Sequence, residues 1–335
     1  MWAESVACDG YAHGMELPRR ISLALTPTPV EHLPHLSEAW GGPSIWVKRD
    51  DLTGFELSGN KVRKLEFHLA AALDAGAGVI ITTGAVQSNH CRATALACAR
   101  LGLACVLVLR TADGEPPEAV TGNHRLHRLS GAAIEYVTPD EYGRRDHIMA
   151  DIADEHRRAG RAAWIIPEGA SDELGMWGMA TAFLELHDQL SLVPGKVAAL
   201  WHASSSAGTT AGLGWAADRI GSDVPIVAVS VGDPIDQLRQ HVNDIWRAAA
   251  ARYGGAVPKP HLEYMDRYIA GGYGVVDPRQ VGIVDDAVAK TGLLFDPTYT
   301  GKALYALHEE VRAGRFGTND HVVFWHTGGG FGALI

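Results

Sequence analysis

Short runs of β-branched and aliphatic residues recur along this chain, each followed by a stretch of helical periodicity. This alternation restricts the fold more than any other feature. It predicts strands at 45–48, 79–83, 104–109, 134–137, 163–166, 197–202, 226–229 and 322–326, and helices near 61–74, 88–101, 140–158, 174–189, 208–219, 234–252 and 302–313. Runs such as Val79-Ile80-Ile81 and Val322-Val323-Phe324 are apolar at consecutive positions, so both faces of those strands must be covered. The expected architecture is therefore α/β, a mostly parallel twisted sheet with helices on both sides in three layers. In such a sheet the loops at the carboxyl ends of the strands gather in the ligand crevice, which narrows the search for chemistry to a few segments. No internal repeat or low-complexity linker interrupts the pattern.

One such segment is Ser58-Gly59-Asn60-Lys61, which leads into the apolar-periodic run Leu65, Leu69, Leu73. Gly59 permits a sharp turn, Asn60 is a plausible N-cap, and Lys61 opens a helix with a second lysine, Lys64, three residues on. The helix N-terminus and Lys64 together create positive potential that disfavours an ammonium, so Lys61 is expected to be a nucleophilic amine suited to a carbonyl partner. The strand at 79–83 delivers Gly84-Ala85-Val86-Gln87-Ser88-Asn89-His90 to the head of another helix. Amides and short side chains there can receive a carboxylate or a phenolic oxygen, or the loop is simply a cap built on Ser88 or Asn89. The strand at 197–202 ends in Ser204-Ser205-Ser206-Ala207-Gly208-Thr209, small residues that make either a phosphate cradle or a tight connection. A glycine-rich turn, His326-Thr327-Gly328-Gly329-Gly330, follows the last strand.

Composition excludes several alternatives. A formal charge of −10 over 335 residues argues against a nucleic-acid or anionic-membrane partner, and makes the cluster Lys61, Arg63 and Lys64 stand out against an acidic body. No apolar run approaches the ~18 residues of a membrane span, and the N-terminus lacks a basic-then-apolar signal pattern, so a cytoplasmic protein is expected. With 47% hydrophobic residues the chain can bury one large core or two moderate ones. Its four cysteines do not suggest a disulfide framework: Cys91 and Cys98 should face the core from one helix, Cys105 belongs to the next strand, and Cys8 stands apart. No His-Glu-x-x-His occurs, and His124 and His127 are expected to be solvated on a basic amphipathic helix, so no metal site is expected. A Walker loop is missed because Asn60 separates Gly59 from Lys61.

Taken together, Ser58-Gly59-Asn60-Lys61-Val62-Arg63-Lys64-Leu65-Glu66 and Gln87-Ser88-Asn89-His90-Cys91-Arg92-Ala93-Thr94-Ala95 resemble the pyridoxal-phosphate enzymes of the tryptophan-synthase β fold (fold type II). Within that group they are most similar to the D-cysteine desulfhydrase and 1-aminocyclopropane-1-carboxylate deaminase family, from about Leu17 to the final glycine-rich turn. The resemblance implies a homodimer of two-domain subunits, with 1–58 and 172–335 forming a large cofactor-binding domain. Residues 59–171 would form a smaller inserted domain that gates the substrate, with Lys61 at the junction. It implies that Lys61 holds pyridoxal 5'-phosphate as a Schiff base and shuttles the substrate proton, and that Lys64 contacts the phosphate with the Ser206-Ala207-Gly208-Thr209 turn. Asn89 would hold the phenolic oxygen of the cofactor. Gln87, Ser88, Asn89 and His90 would face a small amino-acid substrate. Ser88, Tyr273 of Gly271-Gly272-Tyr273-Gly274 and Tyr299 of Asp296-Pro297-Thr298-Tyr299-Thr300 would complete the catalytic group.

Thr300 falls where the family meets the pyridine nitrogen. The cyclopropane deaminases carry a glutamate there, whereas the desulfhydrases resemble this chain. A neutral hydroxyl holds no proton on that nitrogen, so the expected reaction is α,β-elimination from a D-cysteine-like substrate to pyruvate, ammonia and hydrogen sulfide. The alternatives are the ring-opening deaminase and a PLP-binding protein without turnover. Four positions depart from the family pattern: Ala170 and Ala207 replace glycines, Glu168 occupies a small or apolar site, and Trp325 is bulkier than usual. A carboxylate or an indole near the site is expected to alter which substrate fits.

Overall fold

The computed structural model describes residues 11–12 and 15–334; Cys8 lies outside them. A short antiparallel hairpin, β1 (Tyr11–Ala12) and β2 (Met15–Glu16), precedes β3 (Val30–His32), α1 (Pro34–Trp40) and β4 (Ser44–Arg49). Then come α2 (Lys61–Asp74), β5 (Val79–Ala85), α3 (Asn89–Leu101), β6 (Ala104–Arg110), α4 (Gly122–Leu129), β7 (Ala133–Val137), α5 (Pro139–Tyr142), α6 (Arg145–Arg158) and β8 (Ala163–Ile165). The chain continues through α7 (Met176–Gln189), β9 (Val197–Ser204), α8 (Gly208–Arg219), β10 (Ile226–Ser230), α9 (Ile235–Tyr253), β11 (Leu262–Met265), α10 (Pro278–Thr291), α11 (Thr300–Arg312) and β12 (His321–His326).

Two sheets result. The larger has the order β11-β10-β9-β12-β4-β3 and is parallel except for the β3–β4 pair; the smaller, β7-β6-β5-β8, is wholly parallel. Side chains alternate across the larger sheet as the strand period requires. From β12, Val322 and Phe324 enter the core shared with α1, α10 and α11, while Val323 and Trp325 enter the core shared with α7, α8 and α9. In the smaller sheet Ile80, Leu107 and Leu109 face α2 and α3, whereas Val79, Ile81 and Val108 face α6. The covered, mostly parallel α/β architecture expected from the sequence is therefore present. No helix among the described residues is long and apolar enough to cross a membrane.

Some elements differ from expectation. The helix anticipated over 140–158 is two helices, because a capping box between Thr138 and Glu141 starts a single turn that ends at Gly143 before α6 begins. Helix α10 was not anticipated, although Asp277 caps it through Arg279 N and Pro278 occupies its first turn. Helix α4 is present, but His124 and His127 are fully buried rather than solvated. The His124 Nε2 lies 2.8 Å from the Tyr136 hydroxyl, and His127 Nε2 donates to Ser88 O at 3.3 Å. Burial holds His127 down to about 4, so it is neutral.

Helix α2 positions the site. Leu65 and Leu69 pack into the small-sheet core, while Phe67 enters the large-sheet core, so the helix is wedged between the two. Four of its ionisable residues, Arg63, Lys64, Glu66 and His68, are consequently buried, and each has a partner. Arg63 binds Asp50 at 2.8 Å and Glu185 at 2.9 Å, Glu66 accepts from the amides of Leu23 and Ala24, and His68 meets Asp172 at 3.0 Å. Arg63 is thus no part of an exposed basic patch. The indole of Trp325 donates to Asp50 Oδ2 at 2.9 Å and is fully buried, so this departure supports the Arg63 network and lines neither site cavity.

Candidate active site

Lys61 is the first residue of α2, where the turn before it is pressed against the end of β12. A Cβ on Gly59, which has φ +103°, would stand 2.8 Å from Thr327 O, and one on Gly328 would stand 2.5 Å from Gly59 Cα. Asn60 N donates to Thr327 O at 3.0 Å, tying the two loops together. Asn60 does not cap α2: its backbone is already helical (φ −63°, ψ −14°), so its side chain points away and donates to Thr209 Oγ1 at 3.0 Å.

Lys61 lines a small pocket of about 30 Å³ with Asn89, Ser206, Ala207, Thr209 and Tyr299. Its amine makes no hydrogen bond or ion pair among the described residues. Burial lowers it to about 8, with Glu168 opposing. The expected nucleophilic amine is present, but its cause is desolvation rather than the field of Lys64. Lys64 is itself pushed far below its ordinary range, first by burial and then by the charge of Lys61.

Lys64 is fully buried and donates to Gly169 O and Ser171 Oγ, each at 3.1 Å. Ser171 Oγ lies 2.7 Å from Ser206 Oγ, so the Glu168–Ser171 loop and the β9–α8 turn share one concave surface. A Cβ on Gly208 would stand 2.7 Å from Lys64 Nζ. This surface is lined by hydroxyls, headed by the N-terminus of the twelve-residue α8, and backed by a lysine; it is built to hold a dianion. The Ser171 side of it was missed in the sequence, because only the return of the chain after β8 brings it there. Ala207 and Ala170 both have left-handed backbones, φ +68° and +48°, which explains why glycine is usual at these positions.

In the β5–α3 loop Ser88 caps α3, accepting from Cys91 N at 3.2 Å. Asn89 lines the pocket and is held by Asn123 Nδ2 at 2.9 Å. Gln87 is turned to α4, accepting from Asn123 N at 2.9 Å. His90 is only 2% exposed and lines neither site cavity; its Nε2 lies 2.8 Å from Thr82 Oγ1, whose proton goes to Ile166 O. The loop thus presents Asn89 to the pocket, while the side chains of Gln87 and His90 brace it from outside.

Tyr273 and Tyr299 meet with hydroxyls 2.5 Å apart. Burial raises both, Tyr273 to about 12 and Tyr299 well above the ordinary tyrosine range, so both are neutral. The Tyr273 turn is pinned by Lys302, whose ammonium donates to Val231 O, Ile269 O and Gly272 O at 2.7–2.8 Å. Burial lowers Lys302 to about 8 as well, but with all three donors engaged it is no rival to Lys61 as a free amine. Thr300 is fully buried, and its hydroxyl donates to Asp296 Oδ1 at 2.7 Å while accepting from Asp296 N at 2.9 Å. The hydroxyl assigned from the sequence to a ring nitrogen is thus engaged within its own loop.

A larger cavity of about 490 Å³ adjoins the pocket, sharing Ser205 and Ser206 with it and including Glu168 and Tyr273 in its wall. Glu168 pairs with Arg145 at 3.4 Å. No group of three or more His, Cys, Asp or Glu among the described residues is placed to hold a metal ion.

The features required by pyridoxal phosphate are thus present in the protein: a free buried amine and, one helical turn away, a cradle whose shape a single Cβ would spoil. A family model described as pyridoxal-phosphate dependent enzyme matches residues 21–328. A Thermotoga maritima protein provisionally named 1-aminocyclopropane-1-carboxylate deaminase is 39% identical over 315 residues, covering 93% of this chain and 97% of the relative. A Salmonella choleraesuis D-cysteine desulfhydrase is 37% identical over 313 residues, covering 92% and 94%. The crystal structure of a 1-aminocyclopropane-1-carboxylate (ACC) deaminase homologue superposes with a TM-score of 0.85 at 34% identity, covering 95% of this chain and 94% of its own. With its geometry and these likenesses in agreement, the chain belongs to the pyridoxal-phosphate-dependent enzymes.

Proposed function

We propose that this enzyme is a lyase that eliminates the β-substituent of a small amino acid, converting D-cysteine-like substrates to pyruvate, ammonia and hydrogen sulfide. The observation that carries this reading is Lys61, a desolvated amine without a partner among the described residues, in one pocket with Tyr299 and the serine–glycine turn. The desulfhydrase name of a relative that matches nearly the whole chain supports it.

When bound, pyridoxal phosphate supplies an electron sink beside the substrate α-carbon. Lys61 takes the α-proton, which a neutral amine near pH 8 can do. Lys64, Ser206, Gly208 and Thr209 hold the phosphate, and Asn60 fixes Thr209. The first-turn amides of α3, presented by the Ser88 cap, receive the substrate carboxylate. The tyrosine pair stays protonated and donates a proton to the departing group. Thr300 supports elimination over ring opening: its proton is engaged by Asp296, which leaves none to share with a ring nitrogen. Residues 59–171 closing on the remainder would exclude water from the pocket. A cytoplasmic homodimer belongs to the same proposal on the family resemblance, and light scattering of the holoenzyme checks the dimer.

The test is pyruvate release from D- and L-cysteine, β-chloroalanine, cysteate and aminocyclopropane carboxylate. Faster opening of the cyclopropane than elimination from any β-substituted amino acid would favour the deaminase. A yellow protein that releases no keto acid from any of them would be a binding protein.

A further inference from the structure

One cation in the larger cavity, Arg110, has no counter-ion among the described residues. Arg110 ends β6 beside Ala85, the last residue of β5, from which the chain turns through Ser88 to Asn89 at the head of α3. Its guanidinium carbon lies 4.9 Å from the ring centroid of Tyr142 and 5.7 Å from that of Tyr273. Among the described residues no carboxylate lies within ion-pairing distance of it, and its side chain makes no hydrogen bond. The other charges near it are otherwise disposed: Arg145 answers Glu168 at 3.4 Å, Arg247 answers Asp244 at 3.0 Å, and Asp146 and Asp233 line the cavity without reaching Arg110. The Tyr273 hydroxyl touches that of Tyr299, which shares the inner pocket with Lys61. The guanidinium therefore lies one aromatic ring beyond the reacting groups, with its donors free.

We infer that Arg110 receives a second negative charge on the substrate, so that the preferred substrates are amino acids whose β-substituent is an oxyanion that can leave with its electron pair, such as a sulfonate, while a β-carboxylate binds at the same place without leaving. This rests on the elimination reading above. The α-carboxylate already has the first-turn amides of α3, which leaves the guanidinium for a group further out. Two aromatic faces hold the planar fork in place, and a fork matches an oxyanion through paired N–H donors better than an ammonium would. For a β-sulfonate the step is redox-neutral. The Cβ–S bond breaks with its electron pair leaving on sulfur as sulfite, Lys61 takes the α-proton, and the 2-aminoacrylate released takes up water to give pyruvate and ammonia.

The test uses holoenzyme of the wild type, R110Q and R110K. Binding is read first, without turnover, as the dissociation constants of aspartate and alanine, both enantiomers, from the visible band of the cofactor. Wild type should prefer aspartate by roughly 10- to 100-fold, the range of a charge-assisted hydrogen-bonded pair. R110Q should bring the ratio near one, and R110K should keep part of it. In turnover, the ratio of kcat/KM for cysteate over β-chloroalanine should fall by a similar factor in R110Q. Equal binding of alanine and aspartate by wild type overturns the inference, as does an equal loss for both ligands in R110Q, which would place Arg110 on the α-carboxylate. If R110Q loses the cofactor, the wild-type ratio and its decrease in R110K decide the matter. An aspartate preference that depends on Arg110 in a protein that eliminates from nothing would sink the elimination reading and leave the anion site standing.

Discussion

Replacing Gly208 tests the phosphate cradle at its tightest point. Gly208 begins α8 without a left-handed backbone, so a larger residue acts through space rather than conformation. An added Cβ would stand 2.6 Å from Ser171 Oγ, 2.7 Å from Lys64 Nζ and 2.9 Å from Ser171 Cα. None of these atoms can yield cheaply. Ser171 Oγ is held by Ser206 and Lys64, and Lys64 Nζ has no other room because it is fully buried. Overpacking of this kind costs about 1–3 kcal/mol, and opening the turn to relieve it removes a charge-assisted contact of about 1.5–3 kcal/mol from the bound phosphate. Gly208→Val should therefore weaken pyridoxal phosphate binding roughly 10- to 100-fold, with Gly208→Ala between it and wild type. Ser205→Ala, which removes no hydrogen bond among the described residues, should shift it by less than about threefold. Titration of the apoenzyme followed by visible absorbance gives the constants, and melting without cofactor separates them from global destabilisation. Retention by Gly208→Val equal to that of Ser205→Ala would refute the cradle.

Four further outcomes follow from the same geometry. Lys61 must be neutral to capture a carbonyl, so cofactor uptake by apoenzyme should rise about tenfold per pH unit and level off near pH 8. Glu168→Gln removes the carboxylate that favours the ammonium, so the profile should move to lower pH; a stopped-flow pH series that moves it upward contradicts the assignment. Borohydride should fix the label on the peptide containing Lys61, and a label on Lys64 or Lys302 would exclude Lys61 as the attachment point. Ala170→Gly should raise stability by about 0.5–1 kcal/mol, since relief of a left-handed alanine (~1–2 kcal/mol) exceeds the entropy that glycine adds to the unfolded chain; an unchanged or lower Tm would contradict this. Tyr299→Phe should keep the cofactor spectrum and lose most of kcat, whereas loss of the spectrum with an unchanged residual rate would make the tyrosine structural.

Much of the protein was legible before any coordinates. Continuous apolar runs in β5, β9 and β12 and helical periodicity between them determine a covered parallel sheet, because burial on both strand faces leaves no other arrangement. A Gly-Asn turn before Lys61 and a Ser-Gly turn before α8 mark strand-end loops, and local chain stereochemistry is enough to read those. The family resemblance singles out Tyr273 and Tyr299, but not that their hydroxyls meet.

What it could not supply is which charges end up inside. Arg63, Lys64, Glu66 and His68 look like the solvated face of a helix, yet α2 lies between two cores and each is buried with a partner from a distant segment. The same holds for Lys302, for His127 beneath Ser88, and for Trp325, which lines neither site cavity and serves Asp50. Arg110 is the converse case, a charge in a cleft with no ion-pair partner among the described residues. Desolvation and pairing depend on contacts between residues far apart in the chain, so the acidity of Lys61, the shape of the cradle and the solitary guanidinium were decided only when the two sheets came together.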